Sequence, residues 1–327
     1  MNSNKKTTSY LSFDQSNAIK GFLIILIILG HNHILAPQGG KLFVYLYKFH
    51  IYGFFILPFM YNKSKFFNLK NSINIIIKNW IPYLVFFLLC YSIYHFVVLK
   101  NGFNFKEFTY GFINGSASAT KQSAGFIFLW FMPAFAAMTL LMSLFYNTNN
   151  YWTFLIPLVG IVLYFLPNFT FSILFPIIPF AISQGFYYFC FGFFSKLLLD
   201  RIPKVEYFGA VLFVFISLLY WFVDLGNTYY LFPVSGFLFV YLIKDVLVRI
   251  PFLLIMGKYS FPVYLLHVII YNILEMKLPK TLFWGSVDFS FTIFLSLLIG
   301  YTITKTYFLR KMILPKDLND VKSIFVK

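Results

Sequence analysis

Apolar runs about as long as a bilayer is thick recur along this sequence, and they constrain its fold more than any other feature. A helix needs about 20 predominantly apolar residues to cross the hydrocarbon core of a membrane. Hydrophobic residues make up 60% of the chain and charged residues 11%, whereas an ordinary soluble domain contains about 25% charged residues. A soluble fold cannot bury so much apolar surface. We therefore expect an all-α fold, a polytopic transmembrane helix bundle.

We predict about ten membrane-spanning helices within a single membrane-embedded domain that covers residues 1–327. Pro176 and Pro179 interrupt the apolar stretch 168–183, so we assign this stretch as interfacial or re-entrant instead of as a further span. The first run continues to Ala36, which indicates an uncleaved span and not a signal peptide. The predicted spans are 18–36, 43–61, 79–99, 127–146, 151–166, 184–199, 207–224, 229–248, 252–275 and 287–308.

The net charge of +16 indicates an orientation in the membrane and not a nucleic-acid partner, because the Lys and Arg residues lie between the apolar runs. With the N-terminus in the cytoplasm, all but seven of the 26 Lys and Arg residues fall in cytoplasmic segments, as the positive-inside rule predicts. Both termini are then cytoplasmic. The seven on the outer side are Lys41, Lys48, Lys100, Lys106, Lys121, Lys277 and Lys280.

Ionisable side chains lie inside several predicted spans, where they are costly and by default mark a functional site. Lys20 and His31 are eleven residues apart, roughly 16 Å of helical rise, so they share one face of the first span. His50 and His267 lie at a similar depth in the second and ninth spans, in the outer half of the bilayer. We therefore predict a polar site formed by these three histidines.

Each of these residues also has a purely structural interpretation. A membrane histidine can simply hydrogen-bond to a neighbouring helix, and a lysine at the inner end of a span can extend its amine to the headgroups. Alternatively, Lys20 belongs to a basic mouth for a polyphosphate ligand, together with cations on the same side. Those cations are Lys63, Lys65, Lys70 and Lys78. We expect His95 and His33 to be interfacial, and segment 100–126 to be flexible or substrate-contacting.

Four segments carry a more specific pattern. They are KGFLIILIILGH at 20–31, FHIYGFF at 49–55 with the basic loop and KNWIPYLVF at 78–86 that follow it, LWFMPAF at 129–135, and GKYSFPVYLLHVII at 257–270. Together they resemble the membrane-bound acyltransferase 3 family, in the order that the family shows. Lys20 stands where many relatives carry an arginine, and an amine lacks the two-pronged geometry with which a guanidinium binds phosphate.

The resemblance implies an enzyme that moves an acyl group, commonly acetyl, from cytoplasmic acyl-CoA to a hydroxyl of an extracytoplasmic envelope carbohydrate. The family's first-span histidine corresponds to His31, as catalytic base or acyl relay, and its partner cation corresponds to Lys20, in acyl-CoA binding. His50 and His267 occupy further characteristic positions and are the other catalytic candidates. The remaining candidates are Lys65 and Lys78 for acyl-CoA binding, and Trp130 and Tyr259 for substrate binding.

The expected co-substrate is acetyl-CoA or another acyl-CoA, with no metal. The expected partners are this acyl-CoA, an envelope carbohydrate or glycolipid acceptor and the lipid bilayer, with no nucleic acid, in a bacterial inner (plasma) membrane. A transporter or flippase of an envelope polysaccharide precursor is the alternative, because intramembrane polar residues and Pro-interrupted helices also mark substrate pathways. The sequence shows no internal repeat and no acidic residue at the span centres, which disfavours transport. A catalytically silent sensor or scaffold would not need His31.

Overall fold

A computed structural model describes residues 10–61, 68–145, 180–223, 231–275 and 277–325. Most of these residues are helical, and no strand occurs among them, which confirms the predicted all-α class. The predicted span 151–166, nearly all of segment 168–183, and Lys65 lie outside the described residues.

Sixteen α-helices occur in the described residues, with a π-helical turn, Ile93–Val98, after α4 and a 3₁₀ turn, Ile127–Trp130, before α7. The first eight are α1 Phe13–His31, α2 Lys41–Tyr47, α3 His50–Tyr61, α4 Leu69–Ser92, α5 Phe105–Asn114, α6 Ala117–Ala124, α7 Phe131–Phe145 and α8 Phe180–Arg201. The others are α9 Val205–Phe222, α10 Phe232–Leu242, α11 Lys244–Val248, α12 Pro251–Lys258, α13 Ser260–Glu275, α14 Leu282–Lys305, α15 Tyr307–Ile313 and α16 Leu318–Phe325.

Six helical segments of the described residues are long and apolar enough to cross a membrane, and the chain is a multi-pass membrane protein. A seventh crossing results if α12 and α13, which meet at an 84° bend, count as one broken span. In the predicted span 229–248 the structure has only the short helices α10 and α11. The six segments are Phe13–His31, Lys41–Met60, Leu69–Val98, Ile127–Leu144, Val205–Phe222 and Leu282–Lys305.

Capping explains why α1 begins and ends earlier than the predicted span 18–36. The Ser12 hydroxyl accepts from the Gln15 N–H at 3.1 Å, and the Gln15 side chain accepts from the Ser12 N–H at 2.7 Å. This reciprocal capping box starts the helix at Phe13. At the other end Asn32 leaves the helical conformation, with φ −80° and ψ 97°, so His31 is the last helical residue.

The described residues fall into two compact units. Unit 1 comprises those within Met1–Lys65, Phe191–Val263 and Leu274–Ile293. Unit 2 comprises those within Phe66–Cys190, Tyr264–Ile273 and Phe294–Lys327.

Within unit 1, α1 packs backbone to backbone against α12. A Cβ atom on Gly21 would lie 2.0 Å from the Leu253 carbonyl oxygen, and one on Gly257 would lie 1.7 Å from the Asn17 carbonyl oxygen. Small residues allow membrane helices to approach this closely, and close contact supplies the van der Waals energy that holds them together. The pair of glycines therefore fixes the position of the helix that carries Lys20 and His31.

The short helix α2 is anchored to α9, also within unit 1. The Tyr220 hydroxyl donates to the Lys41 carbonyl oxygen at 2.7 Å, and the Tyr45 hydroxyl lies 3.1 Å from the Ser217 hydroxyl. Phe49, between α2 and α3, packs into an aromatic core with Phe213. These contacts set the orientation of the chain between α1 and α3.

Within unit 2, segment 100–126 is largely helical. It forms α5 and α6, which are capped by the side chains of Asn104 and Ser116. His95 is fully buried next to them. Its Nδ1 lies 2.9 Å from Asn101 Oδ1 and its Nε2 lies 2.9 Å from the Ser123 carbonyl oxygen, so this histidine ties the segment to the end of the third span.

Candidate active site

Helix α1 carries the two residues at the centre of the predicted site. Lys20 and His31 are both partly buried, and a continuous helix separates them by roughly 16 Å of rise. His31 is the last residue of the helix, so no further turn of α1 follows it. Its imidazole is contacted instead by α2. The predicted register on one helix face is therefore present in the structure.

Tyr47, the last residue of α2, contacts the His31 imidazole. Its hydroxyl oxygen lies 3.3 Å from Nδ1 and 3.2 Å from Nε2 of His31, and the two rings meet edge to face at 76°. Phe43 stacks on the Tyr47 ring with a centroid separation of 4.3 Å. No sequence motif marks this tyrosine, although it lies only three residues before His50.

His50 begins α3 and is fully buried. Its Nδ1–H donates to the carbonyl oxygen of Leu46, which can only accept, so Nε2 carries the lone pair of the neutral ring. Among the described residues Nε2 has no hydrogen-bond partner. A buried acceptor without a partner is costly, and a bound molecule with an N–H or O–H group would satisfy it.

His31, Tyr47 and His50 form one group, which we call the His–Tyr–His cluster. The rings of Tyr47 and His50 meet nearly at right angles, with centroids 5.0 Å apart. Gly30 lies against both: a Cβ atom there would be 3.2 Å from Tyr47 Cε2 and 3.8 Å from His50 Cε1. The structure thus brings together two of the three histidines named from the sequence, with a tyrosine between them.

A buried polar pair holds the turn that follows His31. The Asn32 amide donates to the Gly285 carbonyl oxygen at 3.0 Å and to Asp288 Oδ2 at 3.3 Å, and its own oxygen accepts from the backbone N–H groups of Ile34 and Leu35. Asp288 is fully buried and also accepts from the Thr292 hydroxyl at 3.3 Å. Sequence reasoning missed this pair. The sequence signal that could have revealed it is Asp288, a carboxylate at the edge of a predicted span, where an ionisable residue needs a partner.

Unit 2 holds His267 and Trp130 in an aromatic environment. His267 is fully buried, and its Nδ1 lies 2.6 Å from the Tyr264 carbonyl oxygen. The Tyr264 hydroxyl donates to the Phe128 carbonyl oxygen, which ties α13 to the 3₁₀ turn that ends in Trp130. Trp130 stacks on Tyr188 with centroids 6.0 Å apart. Trp130 is thus a partly buried aromatic surface next to the turn.

Three further residues were named from the sequence, and two of them are among the described residues. Lys78 is exposed on α4 in unit 2. Tyr259 is buried at the bend between α12 and α13, in unit 1. Lys65 lies outside the described residues, and no group of three or more His, Cys, Asp or Glu side chains able to hold a metal occurs in the described part of the chain.

A partly buried imidazole inside a multi-pass helical fold can act as the base or the nucleophile of a membrane-embedded transferase. The family model for an acyltransferase domain matches residues 13–305, which include α1 to α14. The chain therefore belongs to the acyltransferase 3 family and is a membrane acyltransferase. No curated protein and no solved structure matches this chain.

Proposed function

We propose that this acyltransferase moves an acyl group, acetyl by default, from cytoplasmic acyl-CoA to a hydroxyl of an envelope carbohydrate on the other side of a bacterial inner membrane. The observation that supports this proposal is the placement of Lys20 and His31 on one face of α1, with the His–Tyr–His cluster at the end away from Lys20. Lys20, two helical turns after the start of α1, suits the phosphates of CoA, and the imidazole at the C-terminal end of α1 suits acyl transfer.

In the direct route, a nitrogen of His31 takes the proton of the acceptor hydroxyl while that oxygen attacks the thioester carbonyl carbon. The new C–O bond forms, the C–S bond breaks, and the proton passes from His31 to the departing CoA sulfur. General base catalysis of this kind contributes about 10²- to 10⁴-fold in rate. In the alternative route, His31 itself accepts the acyl group and then passes it to the acceptor.

The remaining candidates complete the proposal. His50 would receive a hydrogen bond from the bound substrate at Nε2, which has no hydrogen-bond partner among the described residues. His267 is the further catalytic candidate, and Trp130 and Tyr259 are the candidates for substrate binding. Lys65 and Lys78 would add positive charge at the CoA end. The acceptor itself is best identified by mass spectrometry of envelope glycans from cells with and without the protein, because the added mass reports the acyl group.

Membrane vesicles supplied with radiolabelled acetyl-CoA on the cytoplasmic side test the proposal. We expect covalent label on a carbohydrate acceptor with the wild-type protein and none with His31→Ala. His33→Ala is the matched control, because His33 is exposed and two residues away, and it should retain transfer. Normal transfer by His31→Ala, at equal protein level, would exclude His31 as base or relay. Movement of an unlabelled acceptor across the membrane would instead favour the flippase.

Lys20 is tested by the affinity for acyl-CoA. Lys20→Ala should raise the KM for acetyl-CoA more than it changes acceptor saturation, and Lys20→Arg should restore binding because a guanidinium also pairs with phosphate. Lys41→Ala, an exposed lysine at the start of α2, serves as the control. An unchanged KM in Lys20→Ala would show that this lysine serves only to anchor α1 at the headgroups.

A further inference from the structure

We propose that the C-terminal hairpin, formed by α15 and α16, is an interfacial anchor that binds anionic phospholipid at the membrane surface where α14 ends. The positive-inside rule predicts that this surface is cytoplasmic. The inference does not rest on acyl transfer, and it concerns a part of the chain beyond the family match, which ends at residue 305. It starts from the face that the end of α14 and the hairpin expose in unit 2.

The C-terminal half of α14, in unit 2, has an apolar exposed face that ends at a lysine. Phe294, Leu298 and Tyr301 recur at helical spacing along this face, and all three are exposed. Because α14 is long and apolar enough to cross the membrane, this face contacts lipid. Lys305 follows one turn later, with its amine 5.7 Å from the centre of the Tyr301 ring. A lysine at the end of a span extends its charge to the headgroups, so Lys305 marks the membrane surface.

The hairpin begins one residue beyond this point and lies next to the start of another span. Thr306 is extended, with φ −79° and ψ 111°, so α15 starts in a new direction and does not continue α14. The Leu318 N–H donates to Asn74 Oδ1 at 3.2 Å, which joins α16 to the first turns of α4. Leu69, at the start of α4, also begins a segment able to cross the membrane. Two spans therefore end beside the hairpin, which places it at the level of the headgroups.

The hairpin exposes apolar side chains at this level. Tyr307 and Phe308 are 68% and 56% exposed, and Met312 is 38% exposed. Phe308 and Met312 lie one turn apart, so they share one face of α15. Aromatic residues are enriched where a membrane meets water, and a short helix at this level buries its apolar side chains at the boundary of headgroups and acyl chains. Continuity with the lipid-facing side of α14 identifies the occupant of this face as lipid.

The charges of the hairpin select an anionic lipid. Residues 305–325 contain five Lys and Arg and two Asp side chains. Arg310 is paired with Asp320, and the buried Lys311 amine donates to the Ser323 hydroxyl at 2.6 Å. An amine at the membrane surface attracts anionic lipid and can donate to its phosphate oxygens. The cations that are exposed and form no ion pair within the described residues are Lys305, Lys316 and Lys322.

The first experiment measures which lipid lies next to the hairpin of the full-length protein in phosphatidylcholine nanodiscs. A fluorophore on Asn319→Cys, an exposed position, reports contact, and native Cys90 and Cys190 are buried. The nanodiscs contain a trace of phosphatidylglycerol or phosphatidylcholine that carries a nitroxide high on one acyl chain and quenches only at close range. We expect phosphatidylglycerol to quench about threefold more than phosphatidylcholine. Equal quenching by the two lipids would overturn the proposal.

Removal of two exposed lysines tests the role of charge. Lys316→Gln combined with Lys322→Gln should bring the quenching by the two lipids close to equality. Lys277→Gln combined with Lys280→Gln removes the same charge from exposed positions before α14, at the other end of that span, and should keep the wild-type ratio. Loss of the preference in both double variants would contradict the proposal, because it would reflect net charge alone.

High salt keeps the test decisive if the first double variant folds poorly. Salt screens exposed charges, so it should reduce the preference of the wild-type protein for phosphatidylglycerol. A preference that high salt leaves unchanged would overturn the proposal, because it could not come from exposed lysines.

A second measurement asks whether the apolar face of α15 enters the membrane. With a spin label on Met312→Cys, collisions with oxygen, which concentrates in the bilayer, should exceed collisions with a water-soluble nickel complex. Gln122→Cys, at an exposed polar position on α6, is the aqueous reference. The same ratio of collisions at both positions would show that α15 faces water. Efficient disulfide formation between the Met312→Cys side chains of two copies would assign this face to a second copy of the chain. Either result would overturn the proposal.

Discussion

His31 occupies the last residue of α1, and its surroundings come from residues that follow the helix and from residues far along the chain. Asn32 is central among these, because its amide reaches the Gly285 carbonyl and Asp288 while its oxygen caps the next turn. A buried side chain that makes this many hydrogen bonds fixes the backbone around it. The direction in which His31 leaves the helix therefore depends on its immediate neighbour.

Asn32→Ala should destabilise the protein by about 1–3 kcal/mol, because buried Asp288 and two backbone N–H groups lose a partner. A lower melting temperature of the detergent-solubilised protein would show this, together with reduced acyl transfer. Gln38→Ala, an exposed residue in the same connection, should melt as wild type does. If both variants melted together with the wild type, the Asn32–Asp288 contact would carry no stability.

At the scale of elements, the chain beyond the family match forms a helical hairpin, α15 and α16, within unit 2. The Arg310 guanidinium makes two hydrogen bonds to Asp320, at 2.8 Å and 3.1 Å, and the Lys316 N–H also donates to that carboxylate at 2.9 Å. A further contact, from the Leu318 N–H to Asn74 Oδ1, joins the hairpin to α4. The Arg310–Asp320 ion pair thus ties α15 to α16, and the Lys311 amine, which donates to the Ser323 hydroxyl at 2.6 Å, adds a second link between them.

The hydrogen bond from Arg310 lowers the pKa of the Asp320 carboxyl below its ordinary value. A lowered folded-state pKa means that the contact stabilises the hairpin above the unfolded-state pKa, about 3.9, and is lost as pH falls through the lower folded-state value. A spin label on Asn319→Cys should therefore become more mobile on acidification below about pH 4. When Asp320→Asn is added, the spin label should already be mobile at neutral pH, and its mobility should not change on acidification. A label equally immobile at all pH values would contradict this.

At the scale of the whole molecule, the distribution of Lys and Arg predicts the orientation in the membrane. Segment 100–126 should lie outside and the C-terminal hairpin should lie in the cytoplasm, since cations are retained on the cytoplasmic side. The same orientation would place Lys20 where the proposed cytoplasmic acyl-CoA could reach it. Orientation and function are therefore linked, and a reversed protein could not use a cytoplasmic donor.

Single cysteines at Gln122 and Asn319, both exposed, report this orientation. We expect an impermeant maleimide to label Gln122→Cys on intact cells, and Asn319→Cys only after permeabilisation. Native Cys90 and Cys190 are buried, so the unmodified protein provides a low background and serves as the control. The reverse pattern of labelling would show that the chain is inserted in the opposite direction.

Much of the fold could be predicted from the sequence because a bilayer imposes its own length on apolar helices. The runs around α1, α4 and α14 were identified in this way. Short elements were not: α10 spans only Phe232–Leu242, and segment 100–126 folded into two helices whose stability comes from caps and from buried His95. Such features depend on contacts that hydropathy does not record.

The sequence by itself determined the all-α membrane class, the family and the register of Lys20 with His31, because hydrophobic length, motif order and helical period are local properties. Only the tertiary structure decided that Tyr47 contacts both His31 and His50, that His50 Nε2 has no hydrogen-bond partner among the described residues, and that Asn32 meets Asp288 across 256 residues of chain. These contacts depend on how the helices pack and on where α2 reverses the direction of the chain. Both are set by residues far apart in the sequence, so no single segment predicts them.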